Sequence, residues 1–553
     1  MLLAHIGGGI ARLALCAAVA VCLWTASSGP GVAQDGRPNI VLIVADDAGY
    51  ADFGSFGSEI RTPNIDALAS VGVRFTQFAV SATCSPSRSM LLSGTESHIA
   101  GLGNMAEFTA ANQKGKPGYE GFLTERVAPV ASLLKDAGYK TYMAGKWHMG
   151  EEPEHWPAAR GFTRDLTLIP GGGSHFDDMW GAKGERQLYT QNGKIIQALR
   201  PGFHSSEDYS SAIINNIEEN RGDGKPFFAY LAFQAPHDPF QLPAEWLDKY
   251  KGRYDQGYDV TRAARLDRMT KLGILGQKPT VFPRLANIPA WDTLSNDERR
   301  QSARRMELYA AMVEHMDANI GKVVEYLKAK NLYDNTLIIL LSDNGPEGTL
   351  WNMGAPWDNS KFEDWGKKGT FIQYGAAWAQ VSAGPFRMFK GFLSEGGIRA
   401  PLIISGRGVN GSGRISDAVT HVMDIPATIL NAASVAHPAK YNGKEVAPLQ
   451  GKSLSAILDN SRTSVRGQSD WLGWELFGHR AIRQNNWKLL WLCEPHGPGK
   501  WQLYDLKADP GEMNDLATAQ PKITYQLVRH WAEYEKANNV ILPNSSPVCA
   551  KGK

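Results

Sequence analysis

Cysteine is scarce, with five in 553 residues. So sparse a set excludes a small disulfide-stapled scaffold. Cys16 and Cys22 fall in the first 33 residues, which leaves Cys84, Cys493 and Cys549. In an oxidising compartment Cys493 and Cys549 are free to pair, and the sequence leaves open whether they approach each other. Cys84 is then the one left over. A dominant charge is missing too. The 58 basic and 56 acidic side chains leave a net +2, which points to neither nucleic acid nor an anionic membrane surface as a partner. Internal repeats and low-complexity segments are absent. The one apolar stretch outside strand-length runs is Leu13 to Trp24, preceded by Arg12 and followed by small residues through Ala33. It has the form of a secretory signal peptide, residues 1–33, with cleavage near Ala33. Its apolar core of about a dozen residues is short of the roughly 20 that span a bilayer. Export to the periplasm or the medium is therefore expected, and stable membrane insertion is not.

What is present is ordinary globular material, 43% hydrophobic and 21% charged. That is ample for a large core and two domains. Asn39–Ala45, Val73–Val80, Lys140–Ala144, Lys225–Phe233, Thr336–Leu341 and Pro401–Ser405 read as strands. Several are apolar on both faces, as in a parallel sheet covered by helices. Pro63–Val71 and Val127–Ala137 read as helices, and Leu294–Lys330 as one long amphipathic helix or a helix pair containing a structural His315. Thr167–Phe203 reads as a loop walling a pocket, with His175 on the surface. Leu242–Pro289 reads as excursions over the site mouth. The texture changes near residue 453. Alternating strands from Trp474 to Trp491, another at Trp501–Leu506 and a closing helix at Ile523–Ala537 predict a small antiparallel unit. The expected division is 34–452 and 453–553.

The chemistry-bearing residues follow strands. In open α/β sheets the functional crevice lies at the carboxyl ends of strands. Asp46 and Asp47 follow the first strand; adjacent carboxylates there repel unless a cation joins them. Lys146 and His148 end another strand, two apart, and face one side if the backbone stays extended. His237 follows a third, and Asp343 and Asn344 a fourth. Each is unremarkable alone: a capping Asp, a loop histidine, a common Asp-Asn-Gly turn. Cys84, where strand gives way to helix, meets converging N–H groups and the positive end of a helix dipole. Alone it would be a buried structural thiol.

The run Cys84-Ser85-Pro86-Ser87-Arg88-Ser89-Met90-Leu91-Leu92-Ser93-Gly94 resembles the signature of type I, formylglycine-dependent sulfatases. It is most similar to that of bacterial arylsulfatases. Ser93 replaces the usual threonine and keeps the hydroxyl. The strand-end residues above fall where that family carries its site. The resemblance implies an alkaline-phosphatase-like α/β fold, with a mixed, mostly parallel sheet between helices and a smaller C-terminal antiparallel sheet plus helix. It implies that Cys84 is oxidised to formylglycine (3-oxoalanine) by a maturation enzyme. Asp46, Asp47, Asp343, Asn344 and the modified Cys84 are then ligands of a divalent metal. Oxygen ligands of mixed type suit Ca²⁺, with Mg²⁺ as the alternative. Arg88, Lys146, His237 and Lys390 are implied to bind the sulfate, His237 to protonate the departing oxygen and His148 to act on the formylglycine. Arg399 is read as structural. With the cation and the three fixed positive side chains, the site carries a local excess of two positive charges, which draws a small anionic sulfate ester. The expected activity is hydrolysis of sulfate monoesters, aryl sulfates above all. A phosphonate or phosphate ester hydrolase of the same superfamily and a non-enzymatic binder of sulfated molecules are the alternatives.

Overall fold

The computed structural model describes residues 36–276 and 279–549. The signal-peptide reading lies outside the described residues. A ten-stranded sheet forms the centre. Its middle is parallel: Asn39–Ala45 lies between Phe227–Ala232 and Thr336–Ser342, and Lys140–Lys146 flanks Phe227–Ala232. These strands are buried almost throughout, which is why their sequences run apolar without alternation. Leu402–Gly406 joins antiparallel to Thr336–Ser342, so the sheet is mixed, as expected. Two apolar cores cover its faces. Val41 and Ile43 belong to one, Ile40, Leu42 and Val44 to the other. No helix among the described residues is long and apolar enough to cross a membrane.

Several segments depart from the sequence reading. Val73–Val80 is broken into Val73–Phe75 and Phe78–Ala79, which pair in different sheets. Thr167–Phe203 is not all loop: Tyr189–Gln191 and Lys194–Ile196 form a hairpin on the sheet edge. Its turn is Asn192-Gly193, both at positive φ, a strong hairpin signal that three-residue strands hid. Leu294–Lys330 is a single helix, Asn296–Ala329, opened by a Ser295–Glu298 capping box. Leu242–Pro289, expected as excursions over the site mouth, carries a packed helix. Its helix Gly257–Lys271 buries Arg265 against Asp52 at 2.6 Å and Glu59 at 2.8 Å, bracing the chain just beyond Asp46 and Asp47.

The C-terminal sheet has four antiparallel strands, Trp471–Leu476, His479–Gln484, Trp487–Trp491 and Trp501–Asp505. Its two faces alternate. Ile482, Leu489 and Leu503 pack with Leu527 and Trp531 of the helix Pro521–Ala537. Ala481, Leu490 and Tyr504 pack on the main body. Cys493 and Cys549 form a disulfide there.

Candidate active site

Cys84 is the first residue of the helix Cys84–Ser93, and Pro86 lies in its first turn, where a missing N–H costs nothing. The whole helix is buried, Cys84 included. The Cys84 sulphur lies 3.5 Å from Asp46 Oδ1 and 4.0 Å from Asp47 Oδ1. Cys84, Asp46, Asp47 and Asp343 each offer a ligand atom, all within 4.8 Å of one another. Segments nearly 300 residues apart in sequence therefore meet at the carboxyl ends of adjacent parallel strands.

Backbone conformation aims these groups. Asp47 has φ 63° and His148 φ 58°, in the left-handed region that few non-glycine residues visit. Asp47 thus turns its carboxylate beside that of Asp46 instead of to the opposite face. His148 likewise departs from the extended geometry that the Lys146-x-His148 spacing assumed. Lys146 still ends its strand in the site, with Nζ 2.6 Å from Asp46 Oδ2. Arg88 lies 2.8 Å from Asp343 Oδ2 through two nitrogens and donates to the Lys146 carbonyl at 2.9 Å. Lys390 is buried, not a surface lysine, and reaches Asp47 Oδ2 at 2.8 Å. His237 Nε2 stands 3.6 Å from the same oxygen.

The electrostatics are those of crowded opposite charges. Burial opposes ionisation of Asp46, but Lys146, His237, Arg88 and Lys390 outweigh it and hold the carboxyl far below its usual range. Asp343 is pushed up to about 6 by burial and by Asp46. Burial would lower His237, yet Asp47, Asp46 and Asp238 raise it to about 9. Burial pushes the Cys84 thiol well above its ordinary value, against the pull of Lys146 and Lys390. A thiolate nucleophile is thus disfavoured, since reactive cysteines need a depressed pKa.

The acidic cluster fits a divalent cation. Asn344 Nδ2 donates to Asp47 Oδ1 at 2.6 Å and to the Gly345 carbonyl at 2.8 Å. Its Oδ1 is buried without a partner, and a buried acceptor normally has one. Three carboxylates and one orphaned amide oxygen are hard donors of the mixed kind that calcium and magnesium take.

Three carboxylates and one histidine near the site escaped the sequence reading. Asp238 approaches His237 Nδ1 at 2.9 Å. Glu347 approaches Lys390 Nζ at 3.5 Å. Glu107 pairs with His148 Nε2 at 3.2 Å. His175, expected on the surface, is fully buried. Its Nδ1 accepts from Ser205 and its Nε2 donates to the His237 carbonyl at 3.2 Å. Burial pushes its pKa down to about 3, so it props the His237 loop as a neutral ring. Adjacency marked Asp238 and the run after Asn344 marked Glu347; nothing local marks Glu107 or His175. Gly171 and Gly172 do wall the site. A Cβ on Gly171 would lie 2.6 Å from His148 Cε1, and one on Gly172 3.3 Å from His237 Cε1.

Comparison with known proteins agrees with this geometry. Residues 38–435 match the family model described as Sulfatase, and residues 384–536 that of the N-sulphoglucosamine sulphohydrolase C-terminal region. An uncharacterized sulfatase of Schizosaccharomyces pombe is 43% identical over 92% of this chain and 95% of its own. An arylsulfatase of Klebsiella aerogenes is 39% identical over 83% of this chain and 99% of its own. The crystal structure of Ps i-CgsB in complex with k-i-k-neocarrahexaose superposes with a TM-score of 0.65 at 26% identity, covering 91% of this chain and 93% of that one. A strand-end site on a mixed α/β sheet and a family match over most of the chain converge on one conclusion: the protein belongs to the sulfatase family and is a sulfuric ester hydrolase.

Proposed function

We propose that this protein is an exported arylsulfatase that works through formylglycine made from Cys84 and a Ca²⁺ ion. The observation that carries this reading is the placement of Cys84 Sγ among Asp46, Asp47 and Asp343, within 4.8 Å, under Arg88, Lys146 and Lys390. A cysteine whose thiol is held protonated serves better as a precursor than as a nucleophile. Asp46, Asp47, Asp343 and Asn344 would hold the ion, which when bound polarises a sulfate oxygen. The hydrated aldehyde would supply one hydroxyl to attack sulphur and a second to let sulfate leave. We assign the maturation step to a separate formylglycine-generating enzyme.

The side chains of the protein do the rest. Arg88, fixed by Asp343 and the Lys146 carbonyl, offers a buried positive charge to the sulfate oxygens. Lys146 and Lys390 add two more, paired with Asp46 at 2.6 Å and with Asp47 at 2.8 Å. His237, raised to about 9, is protonated at neutral pH and suited to give its proton to the departing oxygen. An aryl leaving group is supported by Phe108 and Trp351, stacked with centroids 6.2 Å apart. Phe108 follows Glu107, the partner of His148, and Trp351 comes shortly after Glu347, the partner of Lys390. The cleft that holds Asp47 and His237 is itself lined by Phe240, Tyr309 and Tyr374. Export is supported by the Cys493–Cys549 disulfide, a bond that persists in oxidising compartments. The division into a catalytic unit, 34–452, and a C-terminal unit, 453–553, is part of this reading.

Mass spectrometry of the peptide carrying Cys84, with rates on 4-nitrophenyl sulfate and 4-nitrophenyl phosphate, tests it. We expect a peptide lightened by exchange of the thiol for an aldehyde oxygen, and faster turnover of the sulfate. An unshifted peptide would make the protein a binder. A strong phosphate preference would make it a phosphate or phosphonate ester hydrolase.

A further inference from the structure

Three charged or titratable side chains of the site are each backed by a carboxylate, and the pairs differ in kind. Asp238 adjoins His237 in sequence, and the Asp238 carbonyl also meets His237 Nδ1, at 2.6 Å. Glu347 stands back from Lys390, whose shorter contact is Asp47. Glu107 is different. It comes from a short helical turn, Ala106–Phe108, outside the strand ends that build the site. It meets the site at His148 Nε2, 3.2 Å away.

That contact determines which imidazole nitrogen carries the proton. A carboxylate only accepts, so Nε2 must donate. In a neutral ring Nδ1 is then the lone-pair nitrogen. Nδ1 of His148 is buried and has no hydrogen-bond partner. The ring is also confined on its far edge. Gly171 lies so close to Cε1, Nε2 and Nδ1 that a Cβ would fall 2.6 to 3.1 Å from them. Burial holds His148 below its ordinary pKa, against the pull of Glu107 and with Lys146 and Arg88 adding to the effect. The ring is thus neutral at neutral pH. Against burial, the Nε2–H hydrogen bond from His148 favours the ionised form of Glu107 and keeps its carboxyl below the usual range, so it stays an acceptor across the working range.

We propose that Glu107 is a positioning residue for this sulfatase: its carboxylate takes the Nε2 proton of His148 in a hydrogen bond, fixes the ring against Gly171, and leaves Nδ1 as the one nitrogen able to accept a proton during turnover. Phe108 carries the turn. Its ring stacks on Trp351 at 6.2 Å and meets Phe477 edge-on at 5.9 Å, so the carboxylate is anchored from both the 345–351 loop and the C-terminal sheet. The catalytic part of this inference rests on the formylglycine chemistry given under Proposed function, on which the family resemblance implies that His148 acts; the tautomer does not.

The test uses the full-length protein and two variants. Glu107→Gln keeps shape and removes the obligate acceptor. Glu107→Asp keeps the acceptor one methylene further back. The first readout is the imidazole ¹⁵N spectrum of His148, assigned with a His148→Gln control, in protein whose Cys84 is unconverted. The second is the split of kcat from KM on 4-nitrophenyl sulfate with the converted enzyme. In the wild type we expect a neutral His148 with the proton on Nε2. In Glu107→Gln we expect loss of that single tautomer and a fall in kcat of roughly tenfold or more, with KM within about twofold. Glu107→Asp should recover part of both. Wild-type tautomer and kcat in Glu107→Gln would overturn the proposal, as would a loss confined to KM. If Glu107→Gln fails to fold, a Glu107→Asp variant with a mixed tautomer and intermediate kcat supports it, and one indistinguishable from wild type overturns it. A wild type without sulfate ester turnover would defeat the functional reading and still leave the spectrum to decide the hydrogen bond.

Discussion

Arg88 holds one oxygen of Asp343 between two of its nitrogens, each 2.8 Å away, with both side chains fully buried. The other oxygen of Asp343 is thereby left to face Asp47, whose backbone N–H approaches it at 3.3 Å. The planar fork of arginine sets this arrangement, and lysine cannot reproduce it. Arg88→Lys should therefore lower kcat/KM by at least about tenfold while the protein still folds. Arg88→Met leaves buried carboxylates unpaired and should cost about 3–5 kcal/mol in urea unfolding as well. Wild-type kcat/KM in Arg88→Lys would contradict the assigned role.

Chelation should lower the melting temperature. Without a cation, Asp46, Asp47 and Asp343 repel one another. Calcium added back at about 100 times its dissociation constant should restore roughly 2.7 kcal/mol. Asp343→Asn should shrink that response, as read by calorimetry with and without EGTA.

If His237 is the acid, its loss should depend on the leaving group. His237→Ala should reduce turnover of a phenyl sulfate more than that of a nitrophenyl sulfate, whose phenol departs without help. Equal losses across a series of substituted phenyl sulfates would remove His237 from that role.

Gly171 has no positive φ to defend, so only space keeps it glycine. Gly171→Ala should push His148 aside and lower kcat by about tenfold or more, with melting temperature nearly unchanged. Gly172→Ala, whose Cβ would sit 3.3 Å from the nearest His237 atom, should have the smaller effect.

His98 supplies a pH signature away from the site. It is buried, 2.9 Å from Glu96 and 3.4 Å from Glu475. Burial opposes its charge, but Glu96 and Glu475 raise its pKa to about 10. A raised histidine stabilises the fold fully below its unfolded pKa near 6.5, and that contribution fades as pH climbs toward 10. His98→Gln should thus be less stable than wild type at pH 6, by on the order of a few kcal/mol, and closer to it at pH 10. Melting curves of the two proteins across pH 6 to 10 measure this; a constant gap would contradict it.

The parallel centre of the sheet was legible because strands buried on both faces have apolar sequences, as Val41–Ala45 and Leu337–Leu341 do. Asp46, Lys146, Asp343 and their neighbours were legible because each ends or directly follows such a strand. The Asn192-Gly193 hairpin was missed since three-residue strands carry too little pattern to register. His175 was misplaced because no local signal tells a buried, hydrogen-bonded ring from a wet one. Glu107 was invisible for a deeper reason. Its partner is 41 positions away and the turn that carries it has no periodicity, so only tertiary packing brings the pair together.

Lys488, on the third strand of the C-terminal sheet, is buried between Glu395 and Glu512 at 2.8 Å from each. Glu395 opens the short turn whose Gly397 carbonyl accepts the Gly345 N–H, next to Asn344. The C-terminal sheet is thus a keystone for the turn that braces the strand-end site. A chain cut near residue 453 would leave Glu395 in the interior without its lysine partner, so the two parts are expected to fold as one piece.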